Sequence, residues 1–406
     1  MPRLLLRGRL VAACAVASAV ALALALSACS SSGGGADASG SGIPDGPIKI
    51  GMIAELSGPS SAIGNYQVAT QTALADYVNA HGGIAGHQVK LIVENNQGDA
   101  AVAVSAARKL VKEGIAGAVY SGLTSSGKDQ VLSIFAQAKI PAVDPVPQAQ
   151  YDDPKLFPFF FTDNPIDPNS MTAEAAFAKK RGFDKIGQLG DSTPFGKSLE
   201  ENFAKKAADN GLTIVKTIDY PSTATDMTTQ LAQLREAGAQ TLGLWCNIGC
   251  GKVFDGLRQL NWSPNILTTH VVYYVAWDSV KNLGSNTWGD CPISVPQGQQ
   301  PPQQLADIIN SVAPKTGGIT VTSQGIPLNA DSWLILKYGI EKAKSLDGVK
   351  VRDAIESIDN QSFSDPDVKY SFSPQHHAGF EAANPLDIAV CGFGGLGPMM
   401  LPLRAS

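Results

Sequence analysis

Short apolar runs alternate along this chain with longer stretches in which apolar positions recur at helical spacing. Residues 48–53 read as a strand. Residues 66–78 then place Val68, Ala69, Ala73, Leu74, Tyr77 and Val78 on one helical face. Glycines in residues 81–86 end that helix, as glycine often does. Residues 89–93 read as a second strand, Asp99 as the cap of a helix through residue 112, and residues 116–120 as a third strand. A helix over 128–138 carries Val131, Leu132, Ile134 and Phe135, and residues 140–143 make a fourth strand. A second alternation follows: helix 173–180, strand 185–189, helix 196–210, strand 213–220, helix 226–237, strand 240–246, helix 252–260 and strand 265–269. A helix pair, 305–312 and 330–344, and an apolar strand, 388–391, come later. Strands separated by helices predict parallel, doubly wound sheets. The expected fold is therefore α/β, with two doubly wound lobes. Residues 158–165 read as an extended crossing between them, and the Pro- and Gln-rich stretch 292–302 as a sign that the chain crosses more than once. The expected lobes are 46–162 with 295–370, and 163–294 with 371–406. Such lobes leave a cleft, and open α/β sheets bind ligands at the carboxyl ends of their strands.

The N-terminal residues follow another pattern. Arg3, Arg7 and Arg9 precede an almost pure Val, Ala and Leu run, 10–26, which reads as an export signal. It ends in Leu26-Ser27-Ala28-Cys29, the lipobox pattern in which the cysteine becomes the lipidated first residue of a bacterial lipoprotein. Residues 1–28 are thus expected to be a signal peptide. Residues 29–45, rich in Ser, Gly and Ala, are expected to be a flexible tether from a lipid on Cys29. No later stretch has the roughly 18 uninterrupted apolar residues of a membrane helix. The expected location is the outer face of the bacterial cytoplasmic membrane.

Charge and cysteines narrow the class. Loss of residues 1–28 removes three Arg and no acid, taking the net charge from −5 to −8. An acidic chain argues against nucleic-acid binding. About 360 remaining residues exceed one ordinary core, in line with two domains. Cys246, Cys250, Cys291 and Cys391 would remain in an exported chain, which suggests two disulfides in one of three pairings. A local Cys246–Cys250 bridge with a long Cys291–Cys391 bridge is preferred. No nearby His joins Cys246 and Cys250, so no metal site is expected.

Enzyme signatures fail. Residues 190–198 mimic a phosphate loop, but five residues separate the glycines where four are needed. Residues 392–397 fit GxGxxG, yet Pro398 and eight further residues leave no helix to hold a pyrophosphate. Neither GxSxG nor HExxH occurs. No enzyme activity and no cofactor are expected. His376-His377 reads as a solvated turn pair, and His270 as a residue at a strand end facing the cleft. The stretch 121–127 stands out, because Thr124, Ser125 and Ser126 sit between a strand and a helix, where N–H groups and hydroxyls attract anions. Its plainer reading is a helix cap by Ser125 or Ser126.

Several segments resemble the periplasmic leucine/isoleucine/valine-binding proteins of ABC importers. They are residues 48–51 with Leu56-Ser57-Gly58-Pro59, residues 79–86, Ala101-Val102-Ala103, and Asp191 with Phe195-Gly196. The resemblance implies the type I periplasmic-binding-protein fold, and capture of a small carboxylate-bearing solute by hinge closure. The solute would be a branched-chain or other hydrophobic amino acid, or a related organic or aromatic acid. By resemblance, Ser125 bonds the ligand carboxylate, flanked by Thr124 and Ser126, and the Val146 N–H joins it. Gln148 replaces a usual threonine, Phe195 a usual tyrosine, and Ile63 lies near a pocket-wall tyrosine. Asn247, His270 and Tyr273 are the expected second-lobe contacts. The family's acid for the ligand ammonium is missing, since no Asp or Glu occurs between Asp255 and Asp278. Asp191 is the expected substitute, unless the ligand carries no ammonium. The implied partners are an ABC permease, the membrane through Cys29, and no second copy of the chain. A ligand-sensing lipoprotein and an envelope hydrolase are the alternatives.

Overall fold

The computed structural model describes residues 42–58, 61–122, 127–275, 286–293, 300–316, 325–380 and 388–392, without the side chains of 273–275. Cys29, Thr124, Ser125 and Ser126 lie outside the described residues, as does the side chain of Tyr273.

The first alternation builds β1 (Ile48–Ala54), α1 (Ser61–Ala80), β2 (Val89–Asn95), α2 (Ala100–Glu113), β3 (Gly117–Ser121), α3 (Lys128–Gln137), β4 (Ala142–Asp144) and β5 (Phe160–Thr162). The five strands form one parallel sheet in the order β2-β1-β3-β4-β5. Both faces are covered, so β3 is buried throughout and β1 nearly so. The second alternation runs α4 (Asp167–Arg181), β6 (Ile186–Asp191), α5 (Pro194–Asp209), β7 (Ile214–Tyr220), α6 (Thr228–Glu236), β8 (Thr241–Trp245), α7 (Cys250–Gln259), β9 (Asn265–Thr268) and α8 (His270–Val275). Then come β10 (Thr287–Cys291), α9 (Gln303–Val312), α10 (Gly325–Ala343), α11 (Gly348–Glu356) and β11 (Ala389–Gly392). The second sheet has the order β11-β10-β9-β8-β6-β7, parallel except for β11, which runs antiparallel to β10.

Local chemistry sets the element ends. Asp99 caps α2 by accepting from the N–H groups of Ala101 and Val102 at 2.8 and 2.9 Å. Gly114 closes the same helix at φ 73°. Each sheet has an apolar core on both faces. In the first lobe Trp333, Ile335 and Leu336 lie in one core, with Leu110, Val131 and Phe135 in the other. In the second, Leu231, Val253 and Phe254 lie in one, with Met171, Phe203 and Trp245 in the other. The disulfides are Cys246–Cys250 and Cys291–Cys391, the latter tying β10 to β11.

Four expectations need correction. The tether ends earlier than residue 45: Ile43 is buried in the first-lobe core, and the Gly42 N–H donates to Lys344 O at 3.0 Å. Within 158–165, residues 160–162 are the fifth strand of the first sheet, because Phe160 and Phe161 have apolar cores to fill. Residues 371–380 belong to the first lobe, not the second. The Thr162 N–H donates to His377 O at 2.8 Å, and Phe372 packs edge-on against Phe161. His377 is not solvated but fully buried against the Phe161 ring, with Nδ1 2.8 Å from Phe160 O. Burial holds its imidazole below the ordinary pKa, against the opposing pull of Glu356. Only His376 is exposed.

Candidate functional site

The carboxyl ends of the two sheets face one cleft of about 580 Å³. Its walls come from the segments that follow β1, β3, β4 and β5 and from the start of α10 in the first lobe, and from those that follow β6, β8 and β9 in the second. Both sheets reverse their strand order here, β1 against β3 and β8 against β6, which is where doubly wound sheets hold ligands.

The first-lobe wall is built on Lys128, the first residue of α3. Its Nζ donates to Asp144 Oδ2 at 2.6 Å and to Ser121 Oγ at 3.0 Å, and lies 5.0 Å from the centre of the Phe160 ring. The same Oδ2 accepts from the Ser121 N–H at 2.8 Å and from its hydroxyl at 2.5 Å. The ion pair is buried, so its Coulomb gain offsets a large desolvation cost, and it leaves the wall close to neutral. Helix α3 is capped by Gly127 at φ 95°, without a side-chain bond. Asp129 is the one carboxylate lining the cleft among the described residues. It is exposed, and already accepts from Tyr151 OH at 2.9 Å and from Gln150. Burial and then Asp129 push the Tyr151 hydroxyl upward in pKa.

The second-lobe wall presents Thr193, Phe195, Ser198, Asn247, Ile248 and His270, with no carboxylate among the described residues. Asp191 ends β6 behind this wall. Its Oδ2 accepts from the N–H groups of Asn247 and Ile248 at 2.7 and 3.0 Å. Its Oδ1 accepts from the Thr193 N–H at 3.0 Å and from the Thr193 hydroxyl. Gly196 lets the first turn of α5 settle onto this carboxylate, where a Cβ would strike it. His270 is held by Asp290: the backbone N–H donates to Oδ1 at 2.9 Å, and Nδ1 lies 3.0 Å from Oδ2. Burial pushes the Asp290 carboxyl upward, but His270 and Ser170 outweigh it, so the group stays below its ordinary value and ionised. Behind Ser198, Asp167 is raised to about 7 by burial, against the hydroxyl bond from Ser198 and with help from Asp290.

Among the expected site residues, Ile63, Gln148, Phe195, Asn247 and His270 meet at the cleft. Tyr273 falls in α8, beside His270. Two do not line it. The Val146 N–H donates to Thr162 Oγ1 at 3.1 Å and is fully buried, because Thr162 on the neighbouring strand needs the partner. Asp191 is also fully buried, and its four donors leave it no role as an ammonium partner. Sequence reasoning missed Lys128, Gln67 and Asn329. Lys128 directly follows the hydroxyl-rich loop, a signal that was present. Asn329 is placed by Gln71, whose amide donates to it at 2.6 Å across 258 residues, and no local pattern carries such a contact.

A sequence model of the periplasmic binding proteins matches residues 47–389. The chain belongs to this family. The Leu/Ile/Val-binding protein homolog 8 of Brucella abortus is 27% identical over 208 residues, 48% of this chain and 50% of the relative. The alignment thus spans about half the length of that curated relative. A periplasmic binding protein type 1 from Bordetella pertussis superimposes with a TM-score of 0.70 at 21% identity, over 88% of this chain and 100% of the other. A solute-binding protein of an ABC transporter from Rhodopseudomonas palustris, solved with 3,4-dihydroxybenzoic acid, gives 0.68 at 15% identity over 85% and 93%. At these identities the structures establish the type I fold of this periplasmic binding protein, and the fold alone.

Proposed function

We propose that this protein is the extracytoplasmic solute-binding subunit of an ABC importer, and that it binds its solute without turning it over. The lobes close on a small carboxylate-bearing solute, and the closed form docks on a permease. Closure is driven by the solute's higher affinity for the closed state. Cys29 carries the lipid that keeps the monomeric chain at the outer face of the cytoplasmic membrane, and Ser125 receives the solute carboxylate.

The observation that carries the choice of solute is the second-lobe wall, where the described side chains include no carboxylate and Asp191 is saturated. A buried ammonium there would lack a counter-charge, at a cost of several kcal/mol. Of the two chemistries seen among its relatives, the wall therefore favours an organic or aromatic acid over an α-amino acid. A thermal-shift and calorimetry panel of L-leucine, L-isoleucine, L-valine, 3,4-dihydroxybenzoate, benzoate and small dicarboxylates tests this. Binding of an acid without an ammonium is expected. Selective binding of the branched-chain amino acids would overturn the preference, and no binding across the panel would overturn the solute class. With the solute found, Ser125→Ala is expected to weaken binding by about 1–3 kcal/mol, the scale for leaving a charged acceptor unpaired.

A further inference from the structure

The loop that carries Asn247 and Ile248 into the cleft is closed at its base by Cys246–Cys250, with Cα atoms 5.8 Å apart. Both cysteines are buried, one following β8 and the other opening α7. A bridge between residues only four apart removes little freedom from the unfolded chain, because loop-closure entropy grows with loop length. The Cys291–Cys391 bridge spans 100 residues and removes far more. The short bridge therefore adds less to global stability than the long one, and its effect is more local. Three other restraints converge on the same loop. Asp191 Oδ2 takes the N–H groups of Asn247 and Ile248, and Tyr220 OH donates to Ile248 O at 2.6 Å. Gly249 sits at φ 75°, where a side chain would be strained.

We propose that the Cys246–Cys250 disulfide is a positioning element for ligand binding. It holds Asn247 and Ile248 in the conformation that the second lobe presents to the solute, so that affinity depends on it more than fold stability does. A loop ordered before binding does not have to be ordered during binding, which is how preorganisation raises affinity. Asp191, expected from sequence to touch the ligand, acts through this loop instead. The inference rests on the cleft being the solute site.

The test compares the full chain with two double variants, Cys246→Ala/Cys250→Ala and Cys291→Ala/Cys391→Ala. Amide hydrogen exchange is followed at Asn247 and Ile248 without ligand. Melting temperatures are recorded, and affinities for L-isoleucine and 3,4-dihydroxybenzoate are measured by calorimetry. In the 246/250 variant the two amides are expected to exchange at least tenfold faster. Affinity for whichever probe binds should fall at least tenfold, and the melting temperature should drop less than in the 291/391 variant. Unchanged exchange at both amides, or a loss confined to melting temperature, would overturn the proposal. A 246/250 variant that fails to fold would also overturn it, because the bridge would then support the whole lobe. The exchange measurement needs no ligand, so failure of both probes to bind would count against the solute class and leave the clasp to be judged separately.

Discussion

Asp144 and Asp191 occupy matching places in the two lobes. Each ends a parallel strand at the cleft, each is fully buried, and each ties its own strand end to that of a neighbour. Their partners differ. Asp144 is neutralised by a cation, the Lys128 ammonium, together with Ser121. Asp191 is solvated by three backbone N–H groups and a hydroxyl, with no cation among its bonds. A buried carboxylate needs either a counter-charge or several donors. The first lobe uses the former and so carries an ammonium at its wall. The second uses the latter, and the donors it enlists are the amides of the loop facing the solute. The first lobe is thus stiffened by charge, and the second by backbone geometry.

Breaking the ion pair should have the larger effect. Lys128→Met strands the Asp144 charge in the core and is expected to destabilise the fold by about 3–5 kcal/mol in urea unfolding. Adding Asp144→Asn should recover much of this, and no recovery would show that the pair is not acting as a pair. Asp191→Asn keeps the shape and one acceptor, but replaces the other with an amide that points donors at donors. A loss of about 2–3 kcal/mol is expected, with faster exchange at Asn247 and Ile248. If this loss equalled that of Lys128→Met, the distinction between the lobes would fail.

A third comparison concerns pH, and it sharpens the view of what lies behind each wall. Burial raises Asp167 in the second lobe to about 7, and Asp331, held by Tyr370 and Ser364 in the first, also to about 7. An acid raised on folding binds more protons folded than unfolded. Its contribution is therefore fully present below the unfolded value near 4, and is lost as pH rises to about 7. Each group adds a downward slope of at most about 1.4 kcal/mol per pH unit in that window. Asp167→Asn and Asp331→Asn should each flatten the stability–pH curve between about pH 4 and pH 7. An unchanged curve in both variants would show that neither carboxyl is protonated there.

Much of this was legible in the sequence. A 3.6-residue period alternating with buried apolar runs is a local property, so the strands of both sheets could be read in order, except β5 and β10, whose short runs carry no such pattern. The hydrophobic gain of covering both sheet faces then required two α/β lobes. The bridge pairing was also readable, since one pair of cysteines lay four residues apart. The resemblance to the leucine/isoleucine/valine-binding proteins, together with the place of His270 at a strand end, put Ile63, Gln148, Phe195, Asn247 and His270 at the cleft. The tertiary structure alone decided which polar groups were already committed. Val146 was expected as a ligand contact by resemblance and Asp191 as the substitute for a missing acid, but Thr162 and the 247–248 amides, from other parts of the chain, had taken their bonding capacity. Likewise His377 looked solvated beside His376 until Phe161 and Phe160, more than 200 residues earlier, enclosed it. Periodicity records which face of an element is buried. It does not record which distant donor meets which acceptor, and at a cleft between two lobes that meeting determines what is left for a ligand.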